Sequence, residues 1–287
     1  MRLDAPDYPA PAKLNLFLHV LGRRADGYHL LQSAFVLIDA ADRLRFAVRG
    51  DGRIRRVSDL PGVPADADLV VRAAQLLKTE TGTALGADIE VDKCLPLGGG
   101  LGGGSSDAAT TLIVLNRLWN TGLDRPGLQA LGARLGADVP FFVFGCNAWV
   151  EGAGERLAPL DISPAWYLVL VPPVAVPTGE IFAASELTRD TEALKMEDFS
   201  AQMLLDGQGQ GRLHNDLEAV VVARYPVVRE HLAWLARHAR GRLTGSGACV
   251  FARFEDRESA DRVLDGLPGS MKGFVARGLG VHPLRGM

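Results

Sequence analysis

Residues 96 to 106 read Pro96-Leu97-Gly98-Gly99-Gly100-Leu101-Gly102-Gly103-Gly104-Ser105-Ser106, with glycine at six of the seven positions from 98 to 104. Glycine loses more conformational freedom on folding than any other residue, so such a run inside a folded domain requires a compensating role. Upstream, residues 88–92 alternate around Ile89 and Val91 as a strand. Downstream, Ser105 and Ser106 are suited to cap a helix over Asp107–Trp119, with an acidic residue in its first turn. A strand, a glycine loop and a helix N-terminus in that order make a cradle for an anion. Backbone N–H groups can approach a phosphate without Cβ atoms intervening, and the helix start adds unpaired donors. The competing reading, a mobile hinge or lid, is disfavoured by the strand–loop–helix context.

The kind of phosphate loop can be narrowed. A Walker A loop ends in Gly-Lys-Ser/Thr, whereas Gly104 is followed by Ser105 and the loop contains no lysine. Gly98, Gly100 and Gly103 satisfy G-x-G-x-x-G, a weak signal in a glycine-saturated segment. A dinucleotide fold also needs a second strand ending in an acid ~20 residues on. Here the helix is followed by Thr121-Gly122 and another helical pattern at residues 125–135. Topology therefore excludes the dinucleotide fold.

The chain has 287 residues, long enough to bury a core without disulfides or metal and consistent with two domains. A net charge of −3 provides no basic field for nucleic acid or anionic lipid. Cys94, Cys146 and Cys249 lie far apart with no C-x-x-C spacing, which fits a reducing compartment and argues against a zinc site. The N-terminal prolines and aspartates do not resemble a signal peptide. The apolar run over residues 166–176 is shorter than the ~18 residues of a membrane span. The expectation is a cytoplasmic protein, monomeric or homodimeric, acting on small molecules, with no nucleic acid or membrane partner.

Along the chain, residues 12–21 alternate Leu14, Leu16, Leu18 and Val20 against Lys13, Asn15, Phe17 and His19, a strand that presents Lys13 and Asn15 on one polar side. Asp26-Gly27 is a hairpin signal. Strands follow at 35–38 and 42–48, a helix at 66–78, strands at 141–144 and 148–150, and a loop-rich boundary near 152–164. That boundary divides the chain into domains 1–158 and 159–287. The second half predicts a strand at 167–171, helices near 177–185, 214–224 and 227–239, a strand–turn–strand unit at 242–252 and a helix at 255–267, with a polar stretch reaching Gly211.

The glycine loop with the Asp107-Ala108-Ala109 that follows resembles the second, ATP-binding motif of the GHMP kinases (galactokinase, homoserine, mevalonate and phosphomevalonate kinases). Two further segments occur in family order. Residues 10–16, Ala-Pro-Ala-Lys-Leu-Asn-Leu, resemble the first motif, and residues 243–251, around Thr244-Gly245-Ser246-Gly247, the third. Within the family, Asp26-Gly27-Tyr28-His29, Gly136-Ala137-Asp138-Val139-Pro140 and Pro177-Thr178 with Phe182 resemble the branch whose acceptor alcohol carries a cytidine diphosphate. The resemblance implies an α+β fold of two domains, the first like domain 2 of ribosomal protein S5 and the second ferredoxin-like, with the active site in the cleft between them. It implies ATP along residues 96–106 and Asp138 as the base, with Lys13 stabilising the carboxylate and the developing charge. It implies that His29 hydrogen-bonds the cytosine edge while Tyr28 and Phe182 stack on its ring, with Asn15, Phe35 and Thr178 near the substrate. Mg²⁺ would be held largely by nucleotide and water, with Ser105 or Ser106 assisting and no protein metal ligands assigned. Where the family usually has Asn-Leu, this chain has Asp68-Leu69, which removes a donor.

Read without the resemblance, Asp138 could equally be a turn or helix cap, and Lys13 a solvated lysine. The alternatives to this branch are a GHMP kinase for another small alcohol, which Asp26-Gly27-Tyr28-His29 disfavours, and a catalytically inactive ligand sensor of the same fold.

Overall fold

The computed structural model describes residues 3–25, 27–199 and 212–287. Asp26 of the predicted hairpin turn and the end of the polar stretch up to Gly211 lie outside the described residues. β1 (Tyr8–Arg23) and β2 (His29–Arg49) pair antiparallel along their length, from Tyr8 opposite Leu44 to Arg23 opposite His29. β2 is one strand where two were expected. Pairing continues through Ala41 and Asp42, opposite Pro11 and Ala10, and a register shift between Pro11 and Ala12 absorbs the irregularity.

The first half continues through β3 (Ile54–Arg56), α1 (Leu69–Thr81), β4 (Gly86–Asp92), α2 (Gly103–Leu118), α3 (Arg125–Ala133), α4 (Val139–Phe144), β5 (Ala148–Gly152) and β6 (Arg156–Pro159). The second half carries β7 (Trp166–Leu170), α5 (Thr178–Phe182), α6 (Asp216–Arg224), α7 (Pro226–Leu235), β8 (Arg242–Leu243), β9 (Val250–Phe254), α8 (Arg257–Asp265) and β10 (Gly273–Leu279). One sheet runs β3-β4-β2-β10-β7-β9-β8, with β1 and β5 pairing β2 and β6 pairing β5. β10, absent from the sequence reading, joins the halves. Gly278 and Leu279 face Ile38 and Leu37 of β2, and residues 273–277 pair with β7. α1, α2, α3 and α4 pack their apolar faces on the first half of the sheet, and α6 and α7 cover part of the second. Among the described residues no helix is long and apolar enough to cross a membrane.

Two local expectations are corrected. Residues 141–144, read as a strand, belong to α4, whose first turn contains Pro140 and whose end is closed by Gly145 at φ 75° donating to the Phe141 carbonyl. A short, wholly apolar run in which only Phe144 is partly exposed has no periodicity to separate helix from strand. α2 begins at Gly103, so Ser105 and Ser106 lie in its first turn and are not its caps, and Asp107 falls beyond that turn. The N-cap is Gly102, left-handed at φ 72° and without a side-chain cap. The glycine loop thus turns directly into the helix and leaves the first-turn donors unserved by any cap side chain, the condition an anion site needs.

Candidate active site

β1 places Lys13 and Asn15 on one side, as alternation requires, but the side is not solvated: both residues are buried, at 3% and 2% exposure. The glycine loop and the segment at 244–247 fold over them. The Lys13 N–H donates to the Leu101 carbonyl at 3.0 Å, and the Asn15 N–H donates to Thr244 Oγ1 at 3.1 Å. Lys13 Nζ donates to Asn15 Oδ1 at 2.5 Å and lies 4.7 Å from the Phe35 ring centroid. Asn15 Nδ2 donates in turn to Ser33 Oγ at 3.1 Å. The lysine is therefore held on a fixed vector toward Asp138, with Nζ 3.4 Å from Oδ2.

Asp138 is the N-cap residue of α4, yet its side chain makes no cap hydrogen bond. The turn sets its position, and the carboxylate, about one-third exposed, faces Lys13. Both line a cavity of about 420 Å³ whose other walls include residues 96–105, Asn15, Phe35, Thr178 and Gly245-Ser246-Gly247. Thr178 Oγ1 and Ser246 Oγ lie 2.7 Å apart. Two predicted contacts lie off this wall. Ser106 is fully buried, and Thr244, also buried, links Asn15 to the loop.

The glycines differ in what they are for. A Cβ on Gly100 would meet the Thr244 carbonyl oxygen at 2.2 Å, one on Gly99 would meet Cys249 Sγ at 2.7 Å, and one on Gly102 would meet Phe142 Cζ at 2.9 Å. These three allow the loop to dock on its own protein. Gly98 and Gly104 meet nothing nearer than 3.5 Å.

A second cavity of about 480 Å³ holds Tyr28 and His29 and shares Leu31, Ala137, Ala153 and Phe182 with the first. The structure brings His29 and Phe182 together in a tilted stack, ring centroids 5.0 Å apart, while Tyr28 stands 64% exposed at the rim. Burial, with the Arg189 and Arg23 guanidiniums, holds His29 below the ordinary histidine range.

Sequence reasoning missed the support beneath the loop. Asp42 on β2 accepts hydrogen bonds from the Cys94 and Leu95 N–H groups at 2.7 and 2.8 Å and from Lys93 Nζ, which also donates to Asp107 at 2.8 Å. Burial and the Asp42 charge push the Asp107 carboxyl above the ordinary carboxylate range against the pull of Lys93. The one available signal was Lys93 itself, one of few lysines and set at the loop entrance. Asp68, the departure from the family pattern, caps α1 by accepting from the Val70 N–H at 3.0 Å and pairs with Arg56 at 2.6 Å.

A buried lysine and a carboxylate thus share one cavity with a glycine-lined, uncapped helix start, and sequence comparison gives the class of the chain. The family description "GHMP kinases N terminal domain" matches residues 68–146, and "GHMP kinases C terminal" matches residues 191–273. The chain belongs to the GHMP kinases. Proteins named 4-diphosphocytidyl-2-C-methyl-D-erythritol kinase are similar to it throughout. The one from Aromatoleum aromaticum is 60% identical over 280 residues, covering 98% of this chain and 95% of that protein. The one from Thiobacillus denitrificans is 61% identical over 277 residues, covering 96% of each. A crystal structure of 4-(cytidine 5'-diphospho)-2C-methyl-D-erythritol kinase superposes with TM-score 0.82 at 32% identity, over 96% of this chain and all of that one. Methanococcus jannaschii mevalonate kinase shares the fold, with TM-score 0.67 at 14% identity over 97% of this chain and all of that one.

Proposed function

We infer that this chain is an ATP-dependent kinase that phosphorylates the C2 hydroxyl of 4-diphosphocytidyl-2-C-methyl-D-erythritol, in the non-mevalonate route to isoprenoids. The observation that carries the reading is Lys13 Nζ, 3.4 Å from the Asp138 carboxylate on the wall of the cavity that the glycine loop also lines. The triphosphate lies along residues 96–105, where backbone N–H groups and the α2 start offset its charge. The acceptor oxygen forms a bond to the γ-phosphorus as the β,γ-bridging P–O bond breaks. ADP departs with that electron pair, and Asp138 takes the hydroxyl proton. Lys13 stabilises charge on both the carboxylate and the phosphoryl oxygens. The acceptor is a tertiary alcohol, so alignment contributes more than basicity, and the Asn15–Ser33 brace behind Lys13 serves alignment.

Mg²⁺ neutralises phosphate charge when bound. The ion would enter with the nucleotide, held largely by its phosphates and by water. Of the two serines, Ser105 lines the cavity and could assist. Tyr28, His29 and Phe182 form the cytidine end of the site. Residues 1–158 and 159–287 act as the two domains flanking it, in a cytoplasmic enzyme. The test is release of ADP from Mg·ATP and the diphosphocytidyl alcohol by purified protein. Asp138→Asn should lower turnover by about 10²–10⁴-fold, the worth of a positioned base. Turnover of mevalonate, homoserine or galactose in its place would defeat the substrate assignment.

A further inference from the structure

Arg189 lies in the coil after α5, in no motif of the sequence, yet its guanidinium links residues from two walls of the cytidine cavity. Nη2 donates to the Phe182 and Ala184 carbonyls at 3.0 and 2.6 Å, Nη1 donates to the Leu187 carbonyl at 3.0 Å, and Nε donates to His29 Nε2 at 3.2 Å. The first three bonds fasten the end of α5, which carries Phe182. The fourth crosses to His29 at the start of β2. A guanidinium has donors only, so Nε2 has to be the accepting nitrogen, and a neutral imidazole then carries its proton on Nδ1.

We propose that Arg189 is a positioning residue that fixes His29 in the Nδ1–H tautomer, so that the ring offers the nucleobase a donor and selects the acceptor edge of cytosine over uracil. The inference rests on the cytidine reading above. It also narrows it: with Nε2 committed to Arg189, the imidazole cannot accept from the exocyclic amine and meets the base only through a donor. Cytosine presents an unprotonated N3 beside O2, whereas uracil carries a proton at N3 and would set donor against donor. The neutral state that this tautomer requires agrees with the burial of His29 and with the two guanidiniums, Arg189 and Arg23, that face it. The same side chain holds Phe182 against the His29 ring, so the stacking and hydrogen-bonding surfaces of the cavity are set together.

The experiment combines ¹⁵N NMR of the imidazoles in nucleotide-free protein with calorimetric binding of CDP and UDP to the full chain. In the wild type, Nδ1 of His29 should be the protonated nitrogen and Nε2 the unprotonated one. Arg189→Met keeps the aliphatic stem but removes every donor. It should give a mixture of tautomers, raise the CDP dissociation constant roughly three- to tenfold, the worth of one net hydrogen bond, and reduce the CDP-over-UDP preference by a similar factor. In a double-mutant cycle, adding Arg189→Met to His29→Ala should change the preference no further. A proton on Nε2 of wild-type His29, or CDP and UDP weakened equally by Arg189→Met, would overturn the proposal and leave Arg189 a fastener of α5. A wild-type protein that binds neither nucleotide would defeat the cytidine reading and this inference together.

Discussion

Gly100→Ala separates two reasons for the glycine run. If the loop is glycine-rich only so that a nucleotide can approach it, the substitution should weaken ATP binding and leave the empty protein as stable as before. The structure says otherwise. Gly100 sits at φ 75°, and its Cβ would fall 2.2 Å from the Thr244 carbonyl oxygen, 3.1 Å from that of Gly247 and 3.2 Å from the Gly247 nitrogen. All three atoms are backbone, and the Thr244 carbonyl already accepts the Gly247 N–H at 2.9 Å, so no side chain can swing aside. A left-handed φ costs a non-glycine residue about 1–2 kcal/mol, and overpacking a filled site adds about 1–3 kcal/mol. The expected loss of about 2–5 kcal/mol lowers Tm by roughly 5–15 °C in a chain of this size, measured by calorimetry without nucleotide. Gly104→Ala is the internal control. It lies within α2, its nearest new neighbour would be Leu69 Cδ1 at 3.7 Å, and alanine is the better helix former by about 0.5–1 kcal/mol. Its Tm should hold or rise slightly. An unchanged Tm for Gly100→Ala, or a larger fall for Gly104→Ala, would refute the docking argument.

Lys13→Met removes the cation shared by Asp138, Asn15 and Phe35 and should lower kcat by about 10²–10³-fold, the scale of losing one preorganised donor, in the coupled ADP-release assay; a loss confined to KM would contradict its place beside the reacting oxygens. Burial lowers His19 and His282 to about 4. Between pH 6.5 and 4 the unfolded chain binds protons that the folded one refuses, so stability is lost as pH drops through that window, by roughly 2–3 kcal/mol per histidine near its lower end; urea melts at pH 7 and 4.5 should show the loss, and His282→Asn should reduce it. Asp68→Asn restores the residue common in the family and keeps an N-cap, but strands Arg56, whose side chain is only 6% exposed. It should destabilise the protein by about 1–3 kcal/mol in the same urea melts, and an equally stable variant would show that Arg56 is satisfied by the Ser58 and Val63 carbonyls alone.

Local signals settled a great deal. Alternation marked β1, the helical stripe marked α1, and six crowded glycines marked a tight loop between a strand and a helix, because each is written in neighbouring residues and obeys a fixed period or a steric rule. Lys13, Asp138 and the three motifs were legible as types of residue at a recognisable spacing. What the sequence could not decide was which side of β1 is covered, since Lys13 taken by itself reads as a solvated lysine until the loop and the 244–247 segment fold over it and Asn15. It could not separate helix from strand in the apolar run after Asp138, nor foresee β10, whose pairing depends on two distant strands. The Asp42–Lys93–Asp107 brace and the Arg189–His29 bond join residues far apart in the chain. Such contacts have no period, and only the tertiary fold brings their partners within a few ångströms.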